Sequence, residues 1–166
     1  MKLFLHQFLA ICFITLFSAI GFSQATITIK LIVDTANFDP DNLSASCRFE
    51  ATWSDSGKVV RSDGDLEDFT IDAFVEDTIV WEGESSSSDI AIIDIKKIDR
   101  DNDSKIFKDK KNYGKKEGDS RKEIVKSKIL YDTQDKSDYK YTLFFKINNR
   151  GKTHKIDPKI KVGSKT

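Results

Sequence analysis

Apolar and polar residues alternate with a period of two along most of the chain, the spacing at which successive strand side chains face opposite sides. Ile27, Ile29, Leu31 and Val33 share one face, with Thr28 and Lys30 on the other. Phe69, Ile71, Ala73 and Val75 repeat the pattern around Thr70 and Asp72. The clearest instance is Tyr139, Tyr141, Leu143, Phe145 and Ile147, interleaved with Lys140, Thr142, Phe144 and Lys146. A last run sets His154, Ile156, Pro158, Ile160 and Val162 against Lys155, Asp157, Lys159 and Lys161. Further strands are predicted over residues 47–53, 78–81, 90–98 and 123–130. No stretch sustains a helical period.

Turn-forming clusters separate these runs: Asp39-Pro40-Asp41-Asn42, Ser56-Gly57, Asp63-Gly64-Asp65 and residues 84–89. Asn148-Asn149-Arg150-Gly151 lies between two alternating runs and reads as a hairpin turn. About eight short strands predict an all-β domain. The expected architecture is a single antiparallel β-sandwich, Greek-key and Ig-like or jelly-roll-like, with a closed barrel as the alternative. Pro158 cannot donate to a ladder, so it marks an edge or a bulge. Residues 99–122, rich in Asp and Lys, read as an exposed charged loop.

The N-terminus follows a different pattern. Lys2 is the only charge before Lys30, and residues 3–22 are largely apolar. A basic start, an apolar stretch and a small-residue exit predict a cleavable signal peptide over residues 1–23. The expected cut follows Ser23, with Ala25 as second site. The small-residue exit argues against a retained anchor. Cys12, in mid-stretch after Ile11, is misplaced for lipid attachment. The domain is then residues 24–166, which is 143 residues (166 less 23). It is expected to be extracellular or periplasmic, with no membrane contact after cleavage. A chain of this length buries roughly two-thirds of its surface on folding. Cys47 is left without an internal disulfide partner and reads as a small buried hydrophobe.

Charge is balanced overall but unevenly spread. Residues 31–94 hold 16 acidic and 3 basic residues, a net of −13; residues 95–166 hold 11 and 22, a net of +11. Cross-strand pairing on solvated faces is the expected outcome. Segregation onto separate surfaces would instead favour self-association.

The ligand supply excludes several chemistries. Outside the signal segment only Cys47 and His154 remain, too few for a blue-copper or a structural zinc site. There is no Gly-x-Ser-x-Gly elbow, and nothing local positions Cys47 against His154 as a dyad. Asp99, Asp101 and Asp103 have calcium-loop spacing, but Ser104 replaces the turn glycine and Lys110 the bidentate glutamate. They form a weak metal candidate. Trp53, Trp81 and Tyr113 are candidate sugar-stacking rings. Trp81 aligns with Ile79 and reads as core, Trp53 reads as the exposed ring, and Trp53 and Tyr113 are the candidate ligand-binding residues. The basic stretch 105–128 carries interspersed acids, so nucleic acid is not an expected partner.

Three separated segments carry a family resemblance. They are Ile32-Val33-Asp34-Thr35; Asp68-Phe69 through Asp77-Thr78-Ile79-Val80-Trp81-Glu82-Gly83-Glu84-Ser85; and Tyr141-Thr142-Leu143-Phe144-Phe145 through Ile156-Asp157-Pro158-Lys159-Ile160-Lys161-Val162. In this order the chain resembles the bacterial inclusion-body protein family of the PixA and AidA type. The Ile-Asp-Pro-x-Ile ending is the most specific part. The resemblance implies a β-sandwich and a non-enzymatic protein without catalytic residues. The export signal departs from the often cytoplasmic members, and the insertion 99–122 is particular to this chain.

The expected function is an exported, non-enzymatic binding or interaction protein without a cofactor. Its ligand would be a glycan, a protein surface or its own copies. A lectin-like carbohydrate module and a self-assembling structural protein are the alternatives, and a hydrolase with an unrecognised site a further one.

Overall fold

A computed structural model describes residues 24–133 and 138–164. The expected signal segment, residues 1–23, lies outside them. The alternating runs become strands that form two sheets. Sheet one has the order β3-β2-β1-β5-β9-β8: β3 (Val59–Arg61), β2 (Cys47–Trp53), β1 (Thr26–Val33), β5 (Thr78–Ser85), β9 (Glu123–Lys128) and β8 (Lys115–Lys116). Sheet two has the order β4-β12-β10-β6-β7: β4 (Thr70–Phe74), β12 (Lys159–Gly163), β10 (Tyr139–Ile147), β6 (Ile93–Arg100) and β7 (Lys111–Tyr113). β11 (Arg150–Ile156) also pairs with β10. One helical turn, α1 (Leu43–Ser46), precedes β2.

Two expectations are corrected here. The described residues form twelve strands, not about eight. Three of the additional strands, β3, β7 and β8, are only two or three residues long, too short for alternation to register. The fourth arises because the last run breaks at Asp157-Pro158 into β11 and β12. Proline has no N–H for the ladder, and its carbonyl accepts from the Tyr141 N–H instead, at 3.3 Å. Pairing is also mixed rather than purely antiparallel. β1 runs parallel to β5, and β4 parallel to β12. Parallel neighbours need long crossovers, which the chain supplies by routing β2, β3 and β4 between β1 and β5. Neither sheet closes into a barrel: both end in edge strands.

Side chains from both sheets meet in one core. Sheet one contributes Ile27, Ile29, Phe49 and Trp81, and sheet two Ile71, Ile98, Tyr141 and Phe145. On β10 the assigned face is buried from Tyr139 to Phe145, and Ile147 is half-buried. The β10–β11 hairpin turns on Asn148 and Asn149, both left-handed (φ 53° and 51°), a conformation that asparagine tolerates and type I′ turns require. Gly83 is obligatory for a different reason: a Cβ there would lie 2.4 Å from Ile93 Cβ.

The insertion 99–122 is not simply an exposed loop. It contains β7 and β8, and it buries Ile106 and Phe107 completely. Phe107 packs edge-on against Trp81 (5.7 Å) and Tyr139 (5.3 Å). Burying a phenylalanine contributes roughly 1.5–3 kcal/mol, enough to anchor a segment whose remaining residues are mostly polar.

Cross-strand pairing absorbs much of the charge imbalance. Across sheet one, Arg61 meets Glu50 (2.7 Å), Lys30 meets Glu84 (2.8 Å) and Lys122 meets Glu82 (2.9 Å). The hydrogen bond with Glu84 is the main cause that raises the Lys30 pKa. Lys122–Glu82, Lys128–Glu76 and Lys159–Asp68 join the basic half of the chain to the acidic half.

The packing predicts a sharp contrast between neighbours on β10. Phe145→Ala should destabilise the fold by about 3–5 kcal/mol through the cavity it leaves. Lys146→Ala should stay within about 0.5 kcal/mol. Denaturant melts giving equal costs would refute the assigned faces.

Candidate functional site

The open edge of β4 and the β2–β3 turn border a cleft of about 600 Å³. Trp53, Ala25, Ala73 and Phe74 supply its apolar lining, and Asp55, Lys58, Asp72 and Lys161 are among its charged groups. Asp77 sets the geometry. Its buried carboxylate accepts the Ala25 N–H at 3.1 Å and the Phe74 N–H at 3.0 Å. One side chain thereby ties the start of β1 to the end of β4 at the cleft wall. Gly163 lies against Phe74, where a Cβ would be 3.5 Å from the ring.

Trp53 is not the exposed ring expected from its position before a polar turn. It is 7% exposed, and the Lys58 ammonium lies 4.7 Å from its ring centroid. β2 alternates buried and less-buried residues through to its last position, so Trp53 continues the core face of Cys47, Phe49 and Ala51. Phe74 takes the exposed place instead, at 43%. Its sequence signal is an aromatic on the polar phase of an alternating strand, between Asp72 and Glu76. Phe144 on β10 breaks phase in the same way.

Tyr113 is exposed, at 63%. It belongs to β7 in sheet two and is absent from the Trp53 cleft, so the two candidate rings do not form one platform. Trp81 is fully buried, as predicted.

The calcium spacing does not become a calcium site. Asp99 lies on β6 and is engaged by Lys97 (3.0 Å) and Lys111 (3.8 Å). Asp101 accepts a 2.6 Å hydrogen bond from the Thr142 hydroxyl. Asp103 is exposed. Among the described residues, no three His, Cys, Asp or Glu side chains converge to hold a metal ion. Asp99 is still on β6, whereas Asp101 and Asp103 follow its end, so the three carboxylates are held by separate partners and are not wrapped around one point as in a calcium loop.

Cys47 and His154 lie on different sheets. Burial pushes the Cys47 thiol up to about 11. The His154 ring packs between Phe38 (4.8 Å) and Phe145 (5.3 Å), and desolvation, with Lys152 adding to it, holds its pKa below the ordinary histidine value.

No family model matches the chain, and no curated protein matches it. Among solved structures, it is similar to an inclusion body protein of the PixA type from Burkholderia cenocepacia J2315. The match covers 88% of this chain and 99% of that one, with a TM-score of 0.50 and 10% identity. The resemblance read from the strand segments therefore holds at the level of the fold.

The buried thiol yields a direct test. At a given pH, a pKa near 11 leaves about a hundredfold fewer thiolates than an ordinary cysteine has. A thiol-reactive disulfide should therefore label native Cys47 at least that much more slowly at pH 8 than the denatured chain. Equal rates would place Cys47 at an accessible, activated position.

Proposed function

We propose that the chain is an exported, non-enzymatic β-sandwich protein that binds carbohydrate in the cleft beside Phe74. The observation that carries the reading is the exposed Phe74 ring set among carboxylates and ammonium groups in one concavity. A pyranose presents C–H groups on one face and hydroxyls around its rim. The ring of Phe74 suits the first. Asp55 and Asp72 can accept from hydroxyls, and Lys58 and Lys161 can donate to them. The shielded Cys47 thiol and the aromatic packing of His154 support the non-enzymatic part. The export reading rests on the apolar segment 3–22 and its small-residue exit.

A glycan array probed with residues 24–166 tests this reading. Binding is expected to at least one class of neutral glycan, weakened roughly tenfold by Phe74→Ala, or about 1.4 kcal/mol. Silence across neutral glycans, or binding indifferent to Phe74→Ala, would end it.

Self-association is a second reading, favoured by where the acids sit. Parallel pairing of β1 and β5 brings their following loops to one end, linked by Ser86 N–H to Val33 C=O at 2.9 Å. Those loops carry Asp34, Asp39, Asp41 and Asp89 and no basic residue. The outward side of sheet two carries lysines, so end-to-face contacts between copies would be heterologous and need not close. The fold neighbour is itself described as an inclusion body protein. Sedimentation at about 100 μM should then show assemblies at 0.1 M salt that dissociate at 1 M, as the Debye length falls from about 10 to about 3 Å. A monomer at both salts would rule this out.

A further inference from the structure

The outward side of sheet two carries an ordered row of aromatic and cationic side chains. Register places Tyr113 on β7 opposite Lys97 on β6, Lys97 opposite Phe144 on β10, and Phe144 opposite Lys155 on β11. All four belong on the same side. On β7 the intervening Asn112 turns the other way, its amide oxygen accepting from Ser127 of sheet one at 3.1 Å. Leu143 and Phe145, which flank Phe144, are buried in the core. The row is also held in place. The Lys97 ammonium lies 4.0 Å from the Phe144 centroid and the Lys155 ammonium 5.4 Å from it. Such contacts are electrostatic attractions to the ring face. Phe144 thus acts as a spacer that keeps two ammonium groups at defined positions on either side in register.

Charge on this patch is unbalanced. Asp99 is shared between Lys97 and Lys111, at 3.0 and 3.8 Å, and Asp101 is held by the Thr142 hydroxyl, which leaves three ammonium groups against two carboxylates once Lys155 is included. Tyr113 adds an exposed ring at the β7 end of the row. Strands repeat at about 4.8 Å, so β6 and β11, two steps apart across β10, are separated by about 9.6 Å.

We propose that this face binds an acidic polysaccharide along the row, at a site separate from the Phe74 cleft. Carboxylates of the polymer would meet Lys97 and Lys155, and a sugar ring would lie on Tyr113. The two ammonium groups flank one ring, 4.0 and 5.4 Å from its centroid, so they lie no further apart than about one disaccharide, the repeat of a polymer with one acid for every second sugar. The cations are lysines, point charges without the bidentate fork that arginine offers phosphate.

The test uses residues 24–166 and four probes: an alternating hyaluronate-type polymer with one uronate per disaccharide, neutral dextran, a single-stranded oligonucleotide and vesicles containing anionic lipid. Binding of the uronate polymer is expected, falling as salt rises, with dextran silent and the oligonucleotide and vesicles clearly weaker. The double variant Lys97→Gln/Lys155→Gln should weaken uronate binding about tenfold. Tyr113→Ala should weaken it with an unchanged salt dependence, and Phe74→Ala should leave it unaffected. Melting of each variant verifies that the fold persists. Silence toward the uronate polymer overturns the proposal. So does equal binding of all three anionic probes, or binding indifferent to the double variant in a folded protein. Loss of neutral-glycan binding on Phe74→Ala with uronate binding intact separates this site from the cleft.

Discussion

One aromatic contact joins the two sheets, and much of the core is arranged around it. Trp81 of sheet one donates its indole N–H to the Tyr141 hydroxyl of sheet two at 3.1 Å, with the rings edge-on at 5.8 Å. Both side chains are fully buried. A donor stranded there would cost about 1–3 kcal/mol, so the pair fixes the spacing and the slide of one sheet over the other more tightly than apolar packing does. Burial disfavours ionisation of Tyr141 and raises its pKa, although the indole donor works in the opposite direction. Phe107 and Tyr139 extend the cluster, so the polar insertion between β6 and β9 is drawn onto the core at its one aromatic residue inside that cluster.

Mixed pairing then determines what the surface offers. With β1 parallel to β5, two acidic loops share an end. With β4 parallel to β12 at the margin of sheet two, the edge of β4 stays open beside the β2–β3 turn, where the Phe74 cleft lies. Asp77 is important because it serves both elements with one carboxylate. Charged pairs on solvated faces contribute little individually, about 0–1 kcal/mol. Their effect here is mainly to decide which charges remain for a ligand. Lys30, Lys122 and Arg61 are engaged by glutamates across sheet one. Lys155 lies over the Phe144 ring.

Strand identity and facing were legible because a buried face requires apolar residues at every second position, and one-residue slips would expose the whole set. β2 appears over the predicted residues, and the buried side of β10 is the one its alternation marks. Trp53 shows the limit. A tryptophan at the last position of a strand can go to either side of the boundary, and only the packing over it decides. Asp99, Asp101 and Asp103 show another, since spacing alone does not reveal that a strand ends between the first and the second of them.

The sequence by itself determined an all-β chain, the core faces of its long strands and the hairpin at Asn148-Asn149. These depend on local chemistry: two-residue alternation and asparagine's tolerance of left-handed backbone. Tertiary structure alone decided the parallel pairings, the burial of Ile106 and Phe107, and the meeting of Tyr113, Lys97, Phe144 and Lys155 in one row. Each of these depends on which distant segments become neighbours. Backbone pairing energies are nearly the same for many partners, and the choice is made by how the side chains of both sheets fill one common interior.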